Sequence, residues 1–191
     1  CRDLYVNAYD DQAASPAKYT CKRPAEHLET ALFVCPECKA FSTLRSEKSR
    51  FYCKNCGMTL NLNDYGYFER TDGGRPEFDT ILEWDEWQLG FLRERLADVG
   101  RDEKLFCDDG LRLTSVKDGE NDVLIQSGTL TMYGDRLEMN GEDRSFSFCV
   151  ERIEKISVAL TSTLLFTYNG GYYEIKGGKA YSAVKYMIAS R

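Results

Sequence analysis

Hydrophobic and polar residues alternate through the second half of the chain. Leu111/Leu113, Leu130/Met132, Leu137/Met139, Phe146/Phe148/Val150, Leu164/Phe166/Tyr168 and Tyr173/Ile175 are each spaced two apart. That period marks strands with one buried face. Turn signals divide the runs: Asp118-Gly119, Gly134-Asp135, Asn140-Gly141, Asn169-Gly170-Gly171 and Gly177-Gly178. Asn-Gly between alternating runs favours a tight hairpin. The period shifts to that of a helix at Trp84, Trp87, Phe91, Leu92 and Leu96, which share one face. Thr80-Ile81-Leu82-Glu83 fits a capping box in front of that face, and Gly100 fits a stop behind it. Ala180, Val184, Met187 and Ile188 form a second stripe, which predicts a helix over 179–189.

The first 30 residues carry less pattern. Asp10-Asp11 and Ser15-Pro16 punctuate an irregular lead-in, and Pro24 to Leu32 predicts a short helix opened by its proline. Short strands are expected at Leu32-Phe33-Val34, Phe51-Tyr52 and Thr59–Leu62, the last extended by Gly66–Glu69. Residues 70–80, rich in Gly, Asp and Pro, read as a linker. The divisions are 1–30 for the lead-in with its short helix, 31–69 for a first module, 70–103 for linker and amphipathic helix, and 104–191 for a strand-rich module. The class is α+β, mostly β. About seven antiparallel strands followed by one helix resemble a pleckstrin-homology or GRAM-like β-barrel, in which the C-terminal helix plugs one open end.

Candidate chemistry lies in the first module. Cys35-Pro36-Glu37-Cys38 and Cys53-Lys54-Asn55-Cys56 are two C-x-x-C pairs one short loop apart. Each pair can curl into a knuckle that aims two sulfurs at one point, and Gly57 suits the turn out of the second. Cys35, Cys38, Cys53 and Cys56 are therefore the expected ligands of a structural zinc ion in a zinc ribbon. Redox dithiols and a disulfide framework are the competing readings. A redox C-x-x-C normally stands alone at a helix start, and four thiolates leave no open position for a catalytic water. Metal ligation also favours a reducing compartment. Of the other cysteines, Cys1, Cys21 and Cys107 suggest nothing specific, and Cys149, in an apolar run, is expected to be a buried thiol. A chain opening at Cys1 without an initiator Met reads as a fragment or a processed form.

Composition narrows the function classes. The 191 residues are 42% hydrophobic and 29% charged, a globular balance, with a net charge of −6. An acidic chain makes a poor general nucleic-acid binder, which needs a basic face. The first module is locally basic (Lys39, Arg45, Lys48, Arg50 and Lys54, against Glu37 and Glu47), which reads as a solvated loop near the thiolates or as a small anionic contact. No apolar run is long enough to cross a bilayer, and no signal peptide is visible. Two tryptophans on one helix suit a membrane-interface anchor. However, Asp85, Glu86 and Glu94 make the opposite face acidic, so packing onto a domain is expected instead.

Catalytic patterns are missing from the sequence. His27 is the sole histidine and reads as a surface or capping residue. There is no nucleophile elbow, phosphate loop or dinucleotide fingerprint. Asp10-Asp11, Asp85-Glu86, Asp108-Asp109 and Glu142-Asp143 are adjacent pairs whose side chains diverge, and they are expected to be solvated turn carboxylates.

One series of segments resembles a known family. Pro24-Ala25-Glu26, Leu32–Cys38, Phe51–Cys56, Tyr65–Phe68, Glu83-Trp84-Asp85-Glu86-Trp87-Gln88, Ser127–Leu137 and Tyr172–Gly177 are similar to the C-terminal extension of certain Firmicutes lysophospholipid (1-acyl-glycerol-3-phosphate) acyltransferases. The resemblance implies a non-catalytic accessory region whose partners are an acyltransferase domain in cis and the membrane surface. It also implies a cytoplasmic location at the inner face of the membrane. The family's His-x-x-x-x-Asp signature is lacking here, because Leu32 stands five residues after His27. Only the four zinc cysteines carry over a chemical role. The alternatives are a self-standing lipid-binding module, a zinc-ribbon module for protein or nucleic acid, and a scaffold. Lipid binding is opposed by the mostly acidic loop 117–122.

Overall fold

The chain, seen in a computed structural model that describes residues 7–116 and 123–191, is α+β and mostly β, with two antiparallel sheets and three α-helices among the described residues. The smaller sheet runs in chain order: β1 (Leu44–Glu47), β2 (Arg50–Cys53), β3 (Thr59–Leu62) and β4 (Phe68–Arg70). Alternation holds along β2 and β3, so Phe51, Leu60 and Leu62 point into one core with Phe68. Trp84 closes that core, its ring 5.4 Å from both Phe51 and Phe68.

Trp84 belongs to α2 (Ile81–Asp98), which starts with the expected capping box. Thr80 accepts from the Glu83 N–H while the Glu83 carboxylate accepts from the Thr80 N–H, so two otherwise unpaired donors are satisfied together. The apolar face of α2 serves two cores in turn. Trp84 packs with the small sheet, Leu92 packs with the large sheet, and Trp87 touches both.

The large sheet holds β5 (Lys104–Val116), β6 (Val123–Tyr133), β7 (Arg136–Asn140), β8 (Ser145–Cys149), β9 (Ile153–Ala159), β10 (Thr163–Tyr168) and β11 (Gly171–Lys176). Their order is β8-β7-β6-β5-β11-β10-β9. The meander therefore pairs its first strand with its last, and its two edges are β8 and β9. Phe148 on β8 lies 5.0 Å from Phe166 on β10 and 5.2 Å from Tyr173 on β11. The sheet thus curls back until its two halves share a core, although no ladder joins β8 to β9 and no closed barrel is formed. Leu111, Leu113, Leu130, Met132, Leu137, Met139, Phe148, Leu164, Phe166 and Ile175 fill this core. The turn Asn169-Gly170 has φ of 51° and 76°, the mirror-image turn that Asn-Gly favours. The expected Asp118-Gly119 turn and the acidic loop 117–122 lie outside the described residues.

Several elements differ from expectation. The lead-in contains α1 (Ala8–Ala14), capped by Asn7 and tied down by Tyr9, whose hydroxyl donates to Gly66 O and accepts from the Ile81 N–H. Pro24 to Leu32 is a turn followed by one 3-10 turn at Leu28–Thr30, because His27 takes a left-handed φ of 68° that an α-helix cannot accommodate. Leu32-Phe33-Val34 makes only a single bridge, Val34 to Phe41. Two of its backbone groups are taken by α2: the Phe33 N–H donates to Gln88 and Val34 O accepts from Trp84, while Phe33 O accepts from the Ser42 N–H. Gly66–Glu69 does not extend β3. Asn63 accepts from the Tyr65 and Tyr67 N–H groups and reverses the chain into β4. The strands β1 and β9 had no counterpart in the alternation. In β9 a register shift against β10 brings Ile153 and Ile156 to the same core and breaks the period of two. The last helix, α3, is confined to Ala183–Ala189.

Candidate metal centre

The four predicted cysteines converge. Cys35 Sγ lies 3.7 Å from Cys56 Sγ, Cys38 Sγ lies 3.7 Å from Cys53 Sγ, and all four sulfurs fall within 4.8 Å of one another. Tetrahedral zinc with Zn–S of about 2.3 Å sets neighbouring sulfurs about 3.8 Å apart, whereas a disulfide would bring them to about 2.05 Å. The spacing fits a metal ion and excludes S–S bridges. Sulfur donors in this number suit zinc.

The two knuckles repeat each other bond for bond. In the first, the Lys39 N–H donates to Cys35 O (2.9 Å) and the Cys35 N–H donates to Ala40 O (3.0 Å). In the second, the Gly57 N–H donates to Cys53 O (3.1 Å) and the Cys53 N–H donates to Met58 O (2.9 Å). Both turns leave through a left-handed residue, Lys39 at φ 59° and Gly57 at φ 81°. Glycine takes that conformation freely, but lysine does so at a cost. Lys39 is held there by its own side chain, which donates to Pro36 O at 2.6 Å and lies 4.4 Å from the Trp87 ring.

Burial grades the four cysteines. Cys35 and Cys53 are buried, Cys38 is half-buried and Cys56 is exposed. Burial pushes the Cys35 and Cys56 thiols up. Burial also raises Cys38, but hydrogen bonds from Asn55 and the Ala40 backbone outweigh it and bring that thiol to about 7. Cys53 Sγ accepts from the Asn55 N–H at 3.3 Å and lies 3.2 Å from Thr43 Oγ1. Such groups orient the ligands and spread the thiolate charge.

Gln88 and Trp84 fix the first knuckle from behind. Gln88 is fully buried, accepts from the Phe33 N–H and donates to Ala31 O and to Asp85. Trp84 Nε1 donates to Val34 O at 2.9 Å. The Trp84–Gln88 segment is therefore the clamp that presents Cys35.

A second polar cluster was not foreseen. Lys185 on α3 is 1% exposed; its Nζ lies 2.6 Å from Asp108 Oδ2 and 2.7 Å from Ser42 Oγ. Tyr186 donates to the same Asp108 oxygen at 2.8 Å. Ser182 donates to Thr30 O at 2.7 Å. This corrects two expectations. Asp108 is a largely buried ion-pair partner on β5, not a solvated turn carboxylate. The core side of α3 is Ala183, Tyr186 and Ala189 together with Lys185, while Val184, Met187 and Ile188 are half-buried. The remaining signal was faint, since a lysine among apolar helical positions usually lies at a surface.

Among the basic residues of the first module, Arg50 pairs with Glu47 and Arg45 donates to Ser42 O and Leu44 O. Glu37 binds Arg70, which also binds Asp72. His27 is exposed, and its N–H donates to Ser46. Cys149 is half-buried, not buried, and Cys21 is exposed. No helix is long and apolar enough to cross a membrane among the described residues. Searches against known protein families and against curated proteins found no match for this chain.

Proposed function

We propose that this chain is a non-catalytic accessory module in which a structural zinc ribbon is mounted on a pleckstrin-homology-like barrel. The observation that carries the reading is the four-sulfur cluster, in which two equivalent knuckles place buried and exposed cysteines around one point. Four thiolates would saturate a zinc ion, so its contribution is to folding and not to reaction chemistry. The barrel reading is supported by the strand order, with the opening between β8 and β9, and by α3 packing on the core against β9 and β10.

The partner we propose is an acyltransferase domain in cis, working at the inner membrane face, on the strength of the motif series that resembles lysophospholipid acyltransferase extensions. The test compares the parent enzyme with and without residues 1–191, scoring acyl transfer to lysophosphatidic acid and partition into vesicles. A fall in either supports the reading. No change in both removes the accessory role. Elemental analysis of the purified chain is expected to give about one zinc per molecule. One feature favours, as the second reading, a self-standing protein-interaction module: Phe33, Val34 and Phe41 of the first module pack into the core of the large sheet.

A further inference from the structure

The first module, α2 and the start of β5 border an open groove of about 580 Å³ lined by Lys39, Phe41, Phe91, Arg95, Lys104 and Phe106, with Leu105 and Cys107 beside them. Its floor is aromatic. Phe41 lies 5.0 Å from Phe106 and 5.9 Å from Phe91. Its rim is cationic, with one positive residue from each of three elements, in a chain whose net charge is −6. Glu103 stands near this rim, 3.7 Å from Arg95. Lys39 donates to Pro36 O and lies over Trp87. Lys104 is exposed, and its ammonium is raised above its ordinary value by the neighbouring Cys107 sulfur.

An apolar floor with a few convergent charges, at this volume, is the makeup of a small-molecule site. We propose that the groove binds a single-chain amphiphile with an anionic head, its tail on the Phe41–Phe91–Phe106 floor and its head among Lys39, Arg95 and Lys104. A peptide is less well served. At the groove β5 is laddered to β6 alone, since its pairs with β11 span only Arg112–Val116, so it is the placement of the charges that disfavours a peptide, and the peptide arm of the test checks it. The three cations come from three separate parts of the chain, which suits one compact anionic head better than an extended acidic peptide. The inference does not depend on the acyltransferase reading, because it rests on this groove alone.

The structure supplies a reporter. Trp87 stacks on Phe91 at 5.4 Å, whereas Trp84 is sealed in the other core. The experiment titrates the zinc-loaded chain with monomeric dodecanoate, with dodecanol, and with an acidic hexapeptide carrying one phenylalanine, following tryptophan fluorescence. Saturable binding of dodecanoate at least tenfold tighter than dodecanol is expected. Arg95→Glu and Lys104→Glu, both at the rim, are expected to weaken dodecanoate at least fivefold while each variant keeps a single cooperative melting transition. Trp87→Phe should abolish the optical signal, and bound dodecanoate should slow alkylation of Cys107, read by peptide mass. Equal binding of dodecanoate and dodecanol, indifference to the two charge reversals, or saturation by the peptide alone would overturn the proposal. Loss of acyl transfer on removing residues 1–191, with no dodecanoate binding, would sink this inference and leave the accessory reading standing.

Discussion

At the residue scale, burial decides what each substitution costs. Cys53→Ser removes a buried ligand and is expected to abolish stoichiometric zinc, read by elemental analysis. Lys185→Ala leaves Asp108 largely buried without its cation, at an expected cost of about 3–5 kcal/mol in a denaturant titration. Lys185→Met combined with Asp108→Asn removes both charges, and it is expected to cost clearly less than the two single changes added together. The convergence of the four cysteines was legible in the sequence because a metal site would impose its spacing on the chain itself. The Lys185–Asp108–Ser42 cluster was not, because its members are far apart in sequence and each alone has an ordinary surface composition. Asp108 shows the difference well: beside Asp109 it looked like half of a solvated pair, and only the tertiary fold turns it inward.

At the element scale, local rules held where the local signal was strong. The capping box opened α2 as written, and Thr80→Ala is expected to cost about 1 kcal/mol, measurable as a lower denaturation midpoint with an unchanged slope. Six strands of the large sheet followed their alternation, and Asn169-Gly170 turned its hairpin. The failures have physical causes. Gln88 and Trp84 captured two backbone groups that Phe33 and Val34 would have given to a sheet. A left-handed His27 ended a helix whose composition was favourable. The register shift in β9 hid a strand from any search at a period of two. Gln88→Leu is therefore expected to act on the ribbon and not on α2 itself. It should leave the Phe33 N–H unpaired, cost about 1–3 kcal/mol, and weaken zinc retention against a chelator.

At the scale of the whole molecule, two cores meet at α2, and they should separate under chelation. Removing zinc is expected to loosen the core around Trp84, read as a tryptophan emission shift, while far-ultraviolet circular dichroism retains most of the strand signal from the large sheet. The alkaline limit follows from two buried phenols. Burial pushes Tyr181 and Tyr186 well above the ordinary value of a tyrosine. Unfolded, they ionise near 10, so their contribution is complete below that pH and is lost as pH rises beyond it. Lys185 runs the other way: burial lowers its ammonium, so the penalty of holding it charged shrinks on the approach to the same range. With two phenols against one amine, the melting temperature is expected to fall above about pH 10, and Tyr181→Phe should flatten that fall. The charge sign and the overall class were readable from composition and period. The mutual burial of ribbon and sheet was not, because no sequence period spans elements 60 or more residues apart.

The bonds from Ser182 to Thr30 and from Lys185 to Ser42 span 152 and 143 residues. During synthesis the cysteine knuckles leave the ribosome long before these partners do. The nascent chain can therefore gather its four sulfurs early, yet Asp108 waits uncompensated until Lys185 emerges. Translational pausing within α3 should thus prolong a protease-sensitive intermediate in which the knuckles are already formed.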